Sequence, residues 1–301
     1  MKGWETSVDL LRKKIDEADA IVVGGASGMS AASGFKFYYQ CDDVFRRIAG
    51  SLEQKYGFHN FFDGLYDRQH TRGEHWAMLL RVAKYIYECE TGGTYKDLAE
   101  LLRGKNYYIA TTNQDAQFFR VFPAERITRI QGDWRYWQCK RPCHDEIYYN
   151  KEQVFRLCEA IEDDALPDEL IPRCPHCGGV MDAWVRSHTF LQGEYYEKEM
   201  QRYMDFLRRN ANRKTLFLEL GVGLMTPMFI KEPFMNMVYQ WPHAFYATLN
   251  PQHALVPKEI AKKSLAISDD IAITLKQLLG KSTAGMKEFN VKEAFNPARV
   301  Y

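Results

Sequence analysis

Ala20-Ile21-Val22-Val23-Gly24-Gly25-Ala26-Ser27-Gly28-Met29-Ser30-Ala31-Ala32-Ser33-Gly34 carries the pattern from which the fold follows. Four consecutive apolar residues fit a strand buried on both faces, as in a parallel sheet. The glycines after them let the backbone turn sharply and let an anion approach it, while the small residues that follow fit the start of a helix. A strand, a glycine turn and a helix start in this order are the local form of a dinucleotide-binding fold. The spacing is not G-x-G-x-x-G, and a plain turn has the same composition, so both readings stand on this stretch alone.

The pattern recurs along the chain. Further buried strands are expected at 107–111, 127–130, 216–220 and 244–249, and a helix at 6–17, where Val8, Leu10, Leu11 and Ile15 fall at helical spacing. This alternation predicts an α/β fold with a parallel sheet covered on both faces. The strand ending Leu218-Glu219-Leu220 enters a second glycine turn, Gly221-Val222-Gly223-Leu224-Met225-Thr226-Pro227. Asn250, at the exit of another strand and before Pro251, can bond a ribose hydroxyl or simply begin a turn. Residues 43–56 and 74–87 are aromatic-rich amphipathic stretches without strand character, and 194–209 reads as a charged, solvated surface helix.

Two cysteine pairs, Cys139-Lys140-Arg141-Pro142-Cys143 and Cys174-Pro175-His176-Cys177, sit among turn formers. Four thiolates supply the tetrahedral set of structural Zn²⁺, and Gly178-Gly179 lets the backbone fold under the metal. With sulfur at all four positions the metal has no place for water, so its role is structural. The expected organisation is a Rossmann-like domain from 1–35, 104–133 and 186–281, a helical insertion at 36–103, a zinc-ribbon module at 134–185 and a C-terminal extension at 282–301.

Bulk properties narrow the function. A chain of 301 residues with 46% hydrophobic content can bury a large core. The charge of +1, from 40 basic and 39 acidic residues, gives no support to a nucleic-acid partner. No run approaches the ~20 apolar residues of a membrane span, and no secretory pattern opens the sequence. Cys41, Cys89 and Cys158 remain after the metal set, and an odd total of seven cysteines fits a reducing compartment; a cytoplasmic location is expected. Asn113-Gln114-Asp115 leaves an apolar strand with three polar side chains in succession. Asn can orient a hydroxyl and Asp can accept from a carboxamide, although a helix cap uses the same residues.

Taken in order, these motifs resemble the sirtuins, NAD-consuming enzymes with a Rossmann-like domain and a small zinc ribbon. The family's Gly-Ala-Gly-x-Ser-x-x-Ser-Gly turn appears as residues 26–34, its Gln-Asn-Ile-Asp as Thr112-Asn113-Gln114-Asp115, its Gly-Thr-Ser as Gly221-Val222-Gly223, and its Ile-Asn as Leu249-Asn250. The resemblance implies that NAD is the co-substrate and that Ala26, Ser27, Gly28, Met29, Ser30 and Gly34 hold its pyrophosphate. It further implies that Asn113, Gln114 and Asp115 border the nicotinamide and its ribose, and that Gln131 orients the ribose. Gly221, Val222, Gly223 and Thr226 would also line the nucleotide, and Asn250 would contact the adenosine side.

Departures from the family pattern narrow the chemistry. Deacylating members carry His-Gly where this chain has Gln131-Gly132, and glutamine cannot take up the proton that histidine collects. The acyl-lysine clamp is replaced by Trp184-Val185-Arg186-Ser187-His188-Thr189-Phe190, and Pro-x-Phe-Arg by Lys36-Phe37-Tyr38-Tyr39. The chain is most similar to the macrodomain-linked microbial sirtuins. That resemblance implies an NAD-dependent protein ADP-ribosyltransferase with Asn113, Gln131 and Asp115 as its catalytic residues. Its implied partners are a lipoylated glycine-cleavage-H-like carrier protein and a macrodomain hydrolase encoded nearby. The alternatives are an NAD-dependent deacylase with His188 or another histidine as base, and a non-catalytic sensor of NAD or ADP-ribose.

Overall fold

A computed structural model describes residues 6–286; residues 1–5, and 287–301 of the expected C-terminal extension, lie outside the described residues. The chain opens with α1 (Ser7–Glu17), β1 (Ala20–Gly25) and α2 (Ser27–Ala32). It continues through α3 (Asp43–Ala49), α4 (Leu52–Tyr56), α5 (Phe61–Tyr66), α6 (Arg72–Glu88) and α7 (Gly93–Leu101) to β2 (Tyr107–Thr111) and β3 (Ile127–Arg129). Next come β4 (Gly132–Cys139), β5 (Tyr148–Tyr149), α8 (Lys151–Cys158) and β6 (Met181–Val185). The last part holds α9 (Glu194–Asn210), β7 (Thr215–Leu220), α10 (Lys231–Gln240), β8 (Phe245–Leu249), β9 (Ser264–Ile267) and α11 (Ile271–Leu278). Among the described residues no helix is long and apolar enough to cross a membrane.

Six parallel strands form one sheet in the order β3-β2-β1-β7-β8-β9. The α/β fold with a parallel sheet expected from the sequence is therefore the one observed. Every residue of β1 and of β7 is buried, as central strands covered on both faces require. One face packs Leu11, Ile15, Leu98 and Leu275 against Ile21, Val23 and Leu218; the other packs Tyr203, Phe206 and Phe234 against Val22 and Phe217. Edge strand β9 is not marked in the sequence because its apolar run, Leu265-Ala266-Ile267, is only three residues long and only Ile267 is buried.

The stretch 43–56 is two helices rather than one. Gly50 adopts φ +61°, and the N–H of Ser51 turns to the Asp164 carboxylate at 2.6 Å. Helix α7, although inside 36–103, packs Tyr95 and Leu98 into the sheet's own core. The rest of that stretch does not stand alone: Phe37, Phe45, Trp76 and Leu80 share one core with Trp137, Cys139, Val154 and Cys174 of the cysteine-bearing segment. The α-helical insertion and the small antiparallel sheet β5-β4-β6 thus form a single lobe beside the large sheet.

Helix α9 is not simply a solvated face. Its charged composition hides a buried stripe of Tyr196, Glu199, Tyr203, Phe206 and Leu207. The Glu199 carboxylate meets Arg129 of β3, accepting from Nη2 at 2.5 Å and from the backbone N–H at 3.0 Å. Arg129 also pairs with Asp133 at 3.1 Å, and Asp133 with Arg135 at 2.6 Å. Rings of Phe119, Tyr136, Trp184 and Tyr195 lie 4.9 to 5.1 Å from the guanidinium. Burial alone would raise the Asp133 carboxyl, but Arg135 and Arg129 outweigh it and hold the group below the usual aspartate value. Removing one member leaves an uncompensated buried charge. Glu199→Ala is expected to cost about 3–5 kcal/mol, seen as a lower urea midpoint, and the double variant Arg129→Met with Glu199→Leu to recover much of the loss. An unchanged midpoint in Glu199→Ala would show that the pair does not hold the lobes.

Candidate functional site

Connections run from β1 toward β2 and β3 on one side and through β7 to β8 and β9 on the other, so the carboxyl ends of β1 and β7 border the crevice where topology reverses. The two glycine turns meet there. Gly28 donates its N–H to the carbonyl of Gly221 at 3.1 Å, and a Cβ at Gly28 would lie 2.6 Å from Gly221 Cα. Gly221 itself has φ +69°. Glycine at these two positions therefore serves the contact between turns as well as any ligand. Helix α2 starts after Ala26 without a side-chain cap; the N–H of Gly28 is taken by Gly221 O and that of Met29 by Ala26 O at 2.8 Å, so the turn is closed largely by its own backbone.

Asn250 lies beneath the second turn with its amide engaged at both ends. Its Nδ2 donates to Val222 O at 2.9 Å, and its Oδ1 accepts from the N–H groups of Gln252 and His253 at 3.0 and 2.9 Å. It clamps the turn and keeps one Nδ2 hydrogen uncommitted to any described residue. Below it the fully buried Glu219 gathers Lys231 at 2.6 Å, Thr248 at 2.9 Å and the hydroxyl of Tyr246. The loop that follows exposes Leu224, Met225 and Met228 at the rim, while Thr226 is half-buried and Gly223 faces open space.

Across the crevice, Asn113 and Asp115 join Ser30 in one network. The Ser30 hydroxyl donates to Asp115 Oδ2 at 2.5 Å and lies 3.0 Å from the Tyr95 hydroxyl, which receives Asn113 Nδ2 at 3.1 Å. Asn113 Nδ2 also reaches Ala26 O at 3.0 Å, and Asp115 Oδ1 accepts from Gln117 N–H at 3.1 Å. Burial pushes the Asp115 carboxyl above its usual range against the pull of Ser30. Burial, reinforced by Asp115, raises Tyr95 well above an ordinary phenol, so its hydroxyl stays neutral. Ala116, between Asp115 and Gln117, takes the left-handed conformation at φ +59°, which a non-glycine residue adopts at a cost of about 1–2 kcal/mol. Neither Tyr95 nor Gln117 is marked by its sequence context. On a short amphipathic helix Tyr95 looks like any core aromatic, and only the fold brings its hydroxyl to Asn113.

Gln131 sits two residues from both Arg129 and Asp133. Its carbonyl accepts from Gln114 Nε2 at 3.1 Å and from Arg186 N–H at 3.0 Å, while its side-chain amide makes no hydrogen bond to any described residue. Gln114 thus links it to the Asn113–Asp115 cluster. Arg186 donates to Ile130 O at 2.6 Å and stacks on Phe190 at 4.3 Å, tying the segment after β6 to the rim. His188 in that segment is exposed and stands outside the network.

The four predicted cysteines converge, their Sγ atoms all within 4.8 Å of one another, with Cys139–Cys177 and Cys143–Cys174 at 3.6 Å. Tetrahedral Zn²⁺ with bonds of about 2.3 Å needs sulfurs about 3.8 Å apart, so the set fits the metal. The knuckle is closed by Gly178 N–H to Cys174 O at 2.9 Å and Cys174 N–H to Gly179 O at 2.7 Å. In the crevice, a free amide on Gln131, a carboxyl raised by burial and two abutting glycine turns fit a dinucleotide.

No family model matches the sequence. A protein ADP-ribosyltransferase of Staphylococcus aureus (strain Mu50) is 33% identical over 271 residues, spanning 88% of this chain and 84% of that protein. A probable bifunctional ADP-ribose hydrolase/ADP-ribosyltransferase of Fusarium oxysporum f. sp. cubense is 29% identical over 243 residues, 77% of this chain but 40% of that larger protein. Among solved structures, a study of the mechanism and regulation of Sir2 enzymes superposes with TM-score 0.56 at 16% identity, covering 92% of this chain and 98% of that one. A Sir2 homologue in complex with NAD gives TM-score 0.53 at 14% identity, covering 90% and 92%. At such identities these structures establish the fold.

Two outcomes follow from the geometry. A carboxyl whose folded value is raised contributes stability that is full below the unfolded value of 3.8 and is lost as pH rises through the folded one. Asp115→Asn, uncharged at any pH, should therefore gain in Tm relative to the wild type as pH rises from acid to neutral, and a constant difference would contradict the raised value. Chelation that strips the four-cysteine clip should lower Tm, because metal binding and folding are linked; a Tm indifferent to chelation would remove zinc from the account.

Proposed function

The chain belongs to the sirtuin family, and we propose that it transfers ADP-ribose from NAD to an acceptor protein with release of nicotinamide. The observation that carries this is Gln131, a side chain without a proton to exchange near neutral pH, held by its backbone at the rim of the crevice with its amide free. Deacylation needs a base at that place, and the exposed His188 is not directed there by any contact within the protein. The staphylococcal relative's name gives the same activity.

Bound NAD supplies an electrophilic C1′: its bond to nicotinamide breaks as the acceptor's lone pair forms the new bond, and the acceptor's proton leaves to solvent. The protein's part is placement and charge. Asn113 is fixed through Nδ2 by Ala26 and Tyr95, so its Oδ1 is available to orient a hydroxyl or the incoming nucleophile. Asp115 retains acceptor capacity beyond Ser30 and Gln117 for a carboxamide NH₂. Gln131 can donate to and accept from a ribose hydroxyl without removing its proton. The turns at Ser27-Gly28-Met29 and Val222-Gly223 would hold the pyrophosphate, and Asn250 would keep the second turn closed. The zinc is structural and takes no part in the transfer.

The proposed acceptor is a lipoylated glycine-cleavage-H-like carrier protein. The exposed Leu224, Met225 and Met228 at the rim supply apolar surface suited to a dithiolane arm. A macrodomain hydrolase would reverse the modification, in keeping with the paired activities in the name of the fungal relative. A cytoplasmic setting would keep the clip's thiols reduced.

The test is incubation with NAD and, separately, the lipoylated carrier, the unlipoylated carrier and an acyl-lysine peptide. Intact mass should show ADP-ribose on the lipoylated carrier alone, with stoichiometric nicotinamide. Gln131→Ala should lower kcat/KM about tenfold, roughly 1.4 kcal/mol of transition-state positioning, and Asn113→Ala more. Peptide deacylation without carrier modification would overturn the proposal.

A further inference from the structure

The zinc module carries a second convergent set of metal-binding side chains, separate from the cysteines. His144 follows Cys143, His176 precedes Cys177, and Glu146 lies against both: one ligand atom from each of the three falls within 4.8 Å of the other two. His176 Nε2 is 3.4 Å and His144 Nε2 3.9 Å from Glu146 Oε2. Two imidazole nitrogens and one carboxylate oxygen are a three-ligand set that zinc accepts, leaving a fourth position for water.

The surroundings prepare these donors for a cation. His144 Nδ1 is 3.0 Å from Cys143 Sγ, which tethers the ring to the clip while its Nε2 faces Glu146. The Tyr148 hydroxyl donates to Glu146 Oε2 at 2.8 Å and lies 2.7 Å from His144 Nε2, linking the two side chains. Four thiolates around one Zn²⁺ leave the clip with net negative charge, which favours a further cation beside it. The rings of His144 and His176 stack with centroids 3.9 Å apart and planes 16° from parallel. They must splay for both lone pairs to meet one ion, and His176, half exposed on the knuckle, has solvent on its open side into which to turn.

We propose that His144, Glu146 and His176 bind a second divalent transition ion, such as zinc, on the outer edge of the module. The ion would join the segment after Cys143 to the Cys174–Cys177 knuckle and so brace the clip from outside. Its site shares no ligand with the clip and lies outside the crevice network.

The full chain, reconstituted with zinc and equilibrated against a buffered excess of free Zn²⁺, should hold two zincs per chain. Glu146→Gln and His176→Gln should each hold one. Cobalt substitution provides the control, because the clip's sulfur-to-cobalt charge-transfer band should be the same in all three proteins while only the wild type adds a second, sulfur-free visible spectrum. One zinc per chain in the wild type, or two in both variants, would overturn the proposal. Loss of the charge-transfer band in a variant would count against it as well, since the two sites would then not be separable. The measurement contains no NAD, so its outcome is independent of the transferase activity.

Discussion

The placement of the two lobes depends on one buried guanidinium. Arg129 ends β3 with 2% of its side chain exposed, and it is tolerable there only because Glu199 and Asp133 supply charge while four aromatic rings fill the remaining volume. Glu199 comes from α9, and Asp133 from the start of β4, which bulges between Gly132 and Trp137. Helix α9 is fixed in turn by the small lobe: the Asp145 carboxylate, two residues past Cys143, accepts from the N–H of Glu194 at 2.8 Å, where the helix has no cap of its own. A chain of contacts thus runs from the clip through Asp145 and α9 to Arg129, and Gln131 is carried between the two ends of that ion cluster.

The crevice itself follows from close packing of backbone. Where the strand order reverses, two turns must pass each other at the carboxyl ends of β1 and β7, and glycine at 28 and 221 lets them do so at hydrogen-bonding distance. Asn250 and Gly221 N–H to Leu249 O at 3.0 Å fix the second turn from below. The site floor is therefore rigid, while the rim at Leu224–Met228 has few internal partners and much exposed apolar surface.

Within that floor, function and stability pull in opposite directions. A half-buried carboxyl whose charged form is disfavoured, a neutral buried phenol and a left-handed alanine are all costly to hold. They are retained at one place, beside a glutamine amide with no internal partner, which is the usual distribution of strain in a site that a ligand completes.

The sequence by itself determined much of this. Buried strands and their glycine exits were legible because each is a local pattern: four apolar residues, then residues that permit a turn. Four cysteines in two turn-bound pairs announced their metal for the same reason, and Gln131 in place of histidine was visible as a single substitution in a motif. What only the tertiary structure decided depends on residues far apart in the chain. Ser30 meets Tyr95 and Asp115 across 65 and 85 positions, Glu199 reaches Arg129 across 70, and the two segments 36–103 and 134–185 share one core. Edge strand β9 and the buried stripe of α9 lack a period or polarity that separates them from solvent-exposed chain. Local propensity records how a segment folds; which side chain completes another's hydrogen bonds or charge is set by desolvation and contact, and those exist only once the chain is packed.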